Sequence, residues 1–224
     1  MDKCALIKYL YIASALLFLS ALVISGLSCG ESAPEPSPAP SVPTPAIPEE
    51  PSSGTPPPPL SAGWTPDGLI GGGEYLSEMA YANGDYELFW GSDQQYIYIG
   101  MRAKTSGWVA VAVQPGNRMK DADMVFGYVE DGEVTVLDLY STGDFGPHPP
   151  DIEQGGTDDI IEYGGTEADG YTTIEFKRAL ATGDQYDHDV SSGKNQIIWA
   201  FGARDNLNLK HSQRGYGEIV LPPG

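Results

Sequence analysis

Met119 and His211 are the side chains whose presence is hardest to explain by folding alone. Met119 lies in Asn117-Arg118-Met119-Lys120-Asp121-Ala122-Asp123 and His211 in Leu209-Lys210-His211-Ser212-Gln213-Arg214-Gly215, both polar, turn-like stretches. A thioether and an imidazole are neutral ligands. As an axial pair they hold iron six-coordinate and raise its reduction potential, which suits electron transfer better than oxygen activation. The pair therefore points to haem, provided the fold brings the two side chains to opposite faces of one ring. Each also has an ordinary alternative: methionine fills irregular gaps in packing, and a histidine near Arg214 can be a surface residue.

The other residues of interest divide similarly. His148 sits in Gly146-Pro147-His148-Pro149-Pro150, where the prolines enforce an extended loop and remove backbone donors; it either lines a pocket mouth or is simply exposed, and it ranks below His211 as an iron ligand. His188, between Asp187 and Asp189, reads as solvated. Met124 and Met101 alternate with apolar strand residues and read as core. Asp121, Asp123, Asp138, Asp144, Asp151, Asp158 and Asp159 form an acidic constellation. Carboxylates and loop carbonyls suit calcium, although there is no EF-hand pattern and hydrated acidic loops are the ordinary alternative. Asp123 is also placed to make a buried structural hydrogen bond at the start of its strand. No Gly-x-Ser-x-Gly elbow and no His-Glu-x-x-His helix occurs, so the chain reads as a non-enzyme.

The N-terminal region sets the compartment. After Lys3 and Lys8 an uncharged run covers residues 9–28, followed by Cys29-Gly30. Residues 1–29 read as an export signal. Gly26-Leu27-Ser28-Cys29 resembles a lipoprotein lipobox, with Gly26 where a larger aliphatic residue is usual, and Cys29 is the expected lipidation site. An uncleaved anchor is the rival reading, since twenty apolar residues can span a bilayer. Either way the domain is exported and tethered to the outer face of a membrane in the cell envelope. Cys4 and Cys29 are the only cysteines. The exported domain therefore has no disulfide and no Cys-x-x-Cys-His site, and a haem would be the noncovalent b type.

Residues 30–62 change composition to Pro, Ser, Ala and Thr. This is a linker, able to extend at about 3.1 Å per residue and so to hold the domain up to roughly 100 Å from its anchor. Residues 63–224 suffice for one domain. They carry 26 of the 31 acids and 10 of the 12 bases, a net charge of −16. Such acidity excludes nucleic-acid binding; it serves solubility, docking to a basic partner or cation binding.

The elements that must position Met119 and His211 are strands. Residues 94–101 and 107–114 are β-branched and aromatic runs with side chains alternating between faces. Further strands are predicted at 85–91, 122–130, 133–140, 159–163, 170–177, 195–202 and 217–221. No long stretch has helical periodicity. Many short strands joined by Gly, Asn, Asp and Pro turns predict an all-β, antiparallel two-sheet β-sandwich that begins near Trp64.

The succession Tyr86-Glu87-Leu88-Phe89-Trp90, Tyr96-Ile97-Tyr98-Ile99, Gly107-Trp108-Val109-Ala110-Val111, Arg118 to Gly127, Ile174-Glu175-Phe176-Lys177-Arg178 and the final His211 before Arg214-Gly215 resembles the DOMON family. That family is named after the amino-terminal domain of dopamine beta-monooxygenase, and the resemblance covers nearly all of residues 63–224. It implies an Ig-like β-sandwich. Members include the cytochrome domain of cellobiose dehydrogenase, whose b-haem is held by one methionine and one histidine, and Met119 and His211 fall where those ligands are expected. Other members lack haem, and some are thought to recognise sugars. The resemblance thus implies a b-type cytochrome domain that exchanges single electrons with a separate redox protein. The alternatives are a haem-free module binding a carbohydrate or other extracellular ligand through exposed Trp or Tyr, and an adhesion or structural module stabilised by calcium.

Overall fold

The computed structural model describes Leu60 and residues 63–223, all within the unit Ser53–Gly224. The export signal, Cys29 and all of the linker except Leu60 lie outside the described residues. Ten strands form: β1 (Ser77–Tyr81), β2 (Tyr86–Ser92), β3 (Tyr96–Ala103), β4 (Val109–Val113), β5 (Asp123–Glu130), β6 (Glu133–Tyr140), β7 (Ile160–Ala168), β8 (Tyr171–Ala179), β9 (Gly193–Phe201) and β10 (Gln213–Leu221). Among the described residues they are interrupted by one α-helix, α1 (Asp151–Gln154), and by a 3-10 turn at Ala82–Gly84 between β1 and β2. Every pairing is antiparallel, in two five-stranded sheets ordered β1-β2-β3-β8-β7 and β10-β9-β4-β5-β6. The expected all-β sandwich is the architecture observed.

Alternation explains how the sheets meet. Because successive side chains point to opposite faces of a strand, Tyr86, Leu88 and Trp90 of β2, Ile97, Ile99 and Met101 of β3, and Ile174 and Phe176 of β8 face Val109, Val111 and Val113 of β4 and Ile197, Trp199 and Phe201 of β9 in one buried core. Polar handles on the aromatics are used across the gap. The Tyr86 hydroxyl donates to the Ala110 carbonyl at 2.9 Å and the Trp90 indole to the Val220 carbonyl at 3.1 Å. The Tyr86 and Trp199 rings stack with centroids 5.1 Å apart.

The outer face of the first sheet is covered by the segment that precedes β1. Trp64 lies against Tyr98 at 5.1 Å between centroids, and the Trp64 indole donates to the Tyr75 hydroxyl at 2.8 Å. Tyr75 donates in turn to Glu175 Oε1 at 2.8 Å, and the Gly68 backbone N–H donates to Glu175 Oε2 at 2.6 Å. A carboxylate with no exposure is thus held by donors from a covering strap.

Three departures from the predicted strands have local causes. Residues 77–81 form β1 although Ser-Glu-Met-Ala-Tyr shows no clear apolar face, because the strand is an edge, paired only with β2. β7 runs on to Ala168 through a polar, glycine-containing stretch that the ladder with β8 holds in place. β10 begins at Gln213, since Gln213, Arg214 and Gly215 pair with Phe201, Ala200 and Trp199; the polarity of those first residues hid the start of the strand.

At Gly127 of β5 the other sheet packs directly on the backbone: an added Cβ would lie 2.7 Å from Ile174 Cγ2. Gly127→Val is therefore expected to lose about 1–3 kcal/mol through overpacking, read as a lowered urea midpoint with an unchanged slope.

Candidate functional site

The middle of the second sheet is apolar on both faces, which is where a site becomes possible. In β4 the sequence Val-Ala-Val-Ala-Val sends valines into the sandwich and leaves Ala110 and Ala112 outside, and all five residues are buried. Two rows of Cα partners cross this outer face. One runs Leu137, Phe126, Ala110, Ala200, Arg214; the other runs Leu139, Met124, Ala112, Ile198, Tyr216. The middle of each row is short or flat. Ala110, Ala112, Met124, Phe126 and Leu139 form a second apolar cluster with Trp108 and Ala122, and Met119, Leu137, Ile198, Ala200 and Leu207 pack against it.

Between this floor and the loops above it lies a cavity of about 340 Å³, within the roughly 300–1,000 Å³ usual for small-molecule sites. Its lining includes Met119, His211, Met124 and His148. Met119 and His211, far apart in sequence, thus share one cavity. Of the two roles open to His148 the structure selects the cavity wall, with its ring edge-on to Phe126 at 5.4 Å. Met124 is buried, as expected, and is also part of the lining.

The loops that present these residues are fixed by hydrogen bonds. The Met119 loop has positive φ at Gln114 (47°), Arg118 (59°) and Asp121 (60°), a backbone region uncommon for residues other than glycine. It is closed by Gly116 N–H to Lys120 O at 2.8 Å and tied to the residue that follows β6 by Asp121 N–H to Ser141 O at 2.8 Å. His211 precedes Ser212, whose N–H donates to Phe201 O at 2.8 Å at the entry to β10. Gly202 lets this loop cross Trp108, because a Cβ there would meet the indole ring.

Electrostatics favour neutral imidazoles here. Burial lowers the pKa of His148, and burial together with the charges of Arg214 and Lys210 lowers that of His211. A neutral imidazole is the form that binds a metal. Residues able to donate soft sulfur and neutral nitrogen therefore border an alanine-containing apolar floor, and donors of these types suit an iron carried by a flat apolar group. The Trp108 indole N–H, in the same wall, has no hydrogen-bond partner among the described residues.

A second cluster lies inside the sandwich, at the opposite face of β5. Arg178 of β8 donates to both oxygens of Asp123 at 2.9 and 2.8 Å, lies 3.5 Å from Asp187 Oδ1, and donates to the His188 carbonyl at 2.7 Å. Asp123 makes the buried structural bond anticipated for it. Asp138 joins it, with Oδ2 accepting from Asp159 N–H at 2.8 Å. The constellation expected from sequence is thereby corrected: Asp123 and Asp138 gather with Asp187, which was not among its members. Asp144 instead accepts from Asn117 at an exposed position. His188 is corrected too. It is half-buried, its Nε2 lying 2.7 Å from the Asp121 carbonyl and its N–H donating to Asp123 Oδ2 at 2.9 Å, because the chain after β8 folds back over β5. Asp187 and Asp189 alone gave no sign of that. Asp138 Oδ1, Asp187 Oδ2 and both oxygens of Asp151 are buried without a hydrogen-bond partner among the described residues. Burial, aided by neighbouring carboxylates, raises Asp138 to about 8 and Asp151 to about 7; burial also raises Asp187 to about 6, against the pull of Arg178.

No tryptophan offers an exposed stacking platform: Trp64, Trp90, Trp108 and Trp199 are all under a tenth exposed. Tyr163 and Tyr216 are the half-exposed or more exposed tyrosines among the described residues.

A sandwich with a loop-covered cavity on the outer face of one sheet defines a class, and the family follows. The DOMON domain model matches residues 82–202, more than half the chain, and the chain belongs to the DOMON family. Met119 lies inside the matched segment and His211 beyond it. Among relatives, MOXD1 homolog 1 of Drosophila melanogaster is 27% identical over 153 residues, covering 65% of this chain and 22% of that protein. DBH-like monooxygenase protein 1 of Gallus gallus is 30% identical over 140 residues, covering 61% and 22%. The chain spans about a fifth of the length of these curated relatives, so the activity in their names belongs to much longer proteins. Among solved structures, the cytochrome b domain of pyranose dehydrogenase from Coprinopsis cinerea aligns with a TM-score of 0.49 and 15% identity, covering 64% of this chain and 80% of that one. The cytochrome domain of Myriococcum thermophilum cellobiose dehydrogenase aligns with a TM-score of 0.46 and 12% identity, covering 61% and 74%.

The buried acids give a signed expectation. Their folded-state pKa values lie above the ordinary carboxylate value, so between about pH 4 and pH 8 the folded domain binds more protons than the unfolded chain, and stability falls as pH rises through that window. Glu175, raised to about 7 by burial, adds to the same slope. Melting temperatures measured in chelator should be higher at pH 5 than at pH 8, and Asp138→Asn should reduce the difference. Arg178→Met should cost about 3–5 kcal/mol at pH 7 by leaving Asp123 buried and unpaired.

Proposed function

We propose that this chain is an exported, envelope-tethered domain that binds b-type haem with Met119 and His211 as axial ligands and passes single electrons to a separate redox protein. The observation that carries the reading is that these two residues line one cavity whose floor is an alanine-centred apolar sheet face. Bound haem supplies reversible one-electron iron chemistry, and the Met/His pair favours a raised potential. The chain's own contribution is positional. Tied loops hold the sulfur and the imidazole, burial keeps His211 neutral, and Trp108, Phe126 and the alanines exclude water from the cavity floor. Cys29 is the proposed point of lipid attachment; among the described residues no helix is long and apolar enough to cross a membrane.

The test is the visible spectrum of the purified chain expressed with ample haem. Sharp Soret and α bands that shift on reduction are expected. Met119→His should keep six-coordination and lower the potential, because nitrogen stabilises ferric iron better than a thioether does, and His211→Ala should weaken haem retention more severely. A colourless protein that takes up no added haem would overturn the reading in favour of a haem-free module that binds a carbohydrate or other extracellular ligand, with Tyr163 and Tyr216 as its platforms. Haem binding left unchanged by both substitutions would shift the ligation to His148 and Met124. Cys29→Ser should abolish lipid attachment, seen as a loss of mass and of membrane retention.

A second reading concerns the acidic cluster of Asp123, Asp138 and Asp187, and the oxygens of Asp138 and Asp187 that have no partner among the described residues favour it. Hard oxygen donors of this kind hold calcium, which would stabilise the fold without taking part in electron transfer. Millimolar calcium should raise the melting temperature at pH 8, and Asp138→Asn should remove that rise. An unchanged melting temperature in the wild type would dismiss it.

A further inference from the structure

The charge distribution around the cavity says which way a ligand lies in it. The domain carries far more acids than bases, and Arg102, Lys177, Arg178 and Lys194 each have a carboxylate within 2.9 Å. Among the described residues Lys104, Arg118, Arg204, Lys210 and Arg214 have no carboxylate within 4 Å, and of these only Lys210 and Arg214 line the cavity. Both are exposed at its margin. Arg118, close by, is already engaged over the Phe145 ring at 4.3 Å. In so acidic a domain, two uncommitted cations at the edge of an apolar cavity mark where an anion belongs.

Register fixes that edge. Arg214 ends the row in which Phe126, Ala110 and Ala200 form the floor, and it stands on β10, the edge strand of the sheet. The row is therefore apolar from β5 to β9 and turns cationic at β10, where Lys210 and His211 also enter. Resting on the haem reading above, we propose that Lys210 and Arg214 hold the carboxylates of the porphyrin at the β10 edge, so that the ring enters with its apolar side toward β5 and its acidic side toward solvent. Both are positioning residues for the cofactor. Because they are exposed, each ion pair is weak and sensitive to salt.

The experiment titrates the haem-stripped full chain with haem and with its dimethyl ester, at low and high salt, and repeats this with Lys210→Gln, Arg214→Gln and the double variant. Wild type should bind the free acid about tenfold more tightly than the ester at low salt, with each single variant losing about threefold for the acid and nothing for the ester. High salt should bring acid and ester together. Circular dichroism checks that the variants fold, and the wild-type comparison of acid with ester needs no variant. Equal affinity for acid and ester in the wild type, with normal axial spectra, would overturn this orientation and leave the haem reading standing. Failure of both compounds to bind would overturn the haem reading itself, and this inference with it.

Discussion

A sheet that is apolar on both faces must be covered on both, and that constraint organises the domain. The inner face of β10-β9-β4-β5-β6 is covered by the other sheet. Its outer face, with Ala110, Ala112, Met124, Phe126 and Ile198, has no third layer of secondary structure among the described residues and is roofed by the loops carrying Met119, Phe145, His148 and His211. Loops cannot fill such a surface as densely as a packed element, since they must also satisfy their own backbone groups. The alanines leave depth and the loops leave height. The cavity is the space between them, and the residues able to ligate a metal reach it because they are carried by the roof.

The opposite face of the domain obeys the same rule with a different outcome. Over β3 and β8 the strap from Trp64 to Tyr75 lies close, with Tyr98 and Gly100 beneath it and Glu175 holding it through two hydrogen bonds. Bulky aromatics and a backbone contact fill what alanines leave open on the other sheet. One outer face is therefore sealed and the other recessed, a difference set by side-chain volume rather than by topology.

Arg178 and Asp123 join the two sheets through the core. The guanidinium comes from β8 and the carboxylate from β5, and the His188 carbonyl and N–H add the segment after β8 to the same knot. A buried pair of this kind is satisfied in one arrangement, and it fixes how the sheets sit on each other more than it adds to stability. β5 therefore carries this knot on its inner face and Met124 and Phe126 of the cavity floor on its outer face. Displacement of the ion pair is expected to be felt in the cavity through the strand that both share.

By itself the sequence determined the sandwich, since alternation within strands such as 86–90, 97–101 and 109–113 leaves only a sheet with at least one buried face. It determined that residues 107–114 send alternate side chains to opposite faces, and it singled out Met119 and His211 through side-chain types that their polar surroundings did not require. It could not determine β1 or the first residues of β10, whose side chains carry no pattern because their place comes from backbone pairing. Nor could it show that His188 is pinned under the core or that Asp187 joins Asp123 and Asp138, because those contacts form between segments tens of residues apart. Only the tertiary structure decided that Met119, His148 and His211 border the same cavity and that Arg214 ends its floor. Cross-strand register sets which side chains become neighbours, and register belongs to pairs of strands rather than to any one stretch of chain.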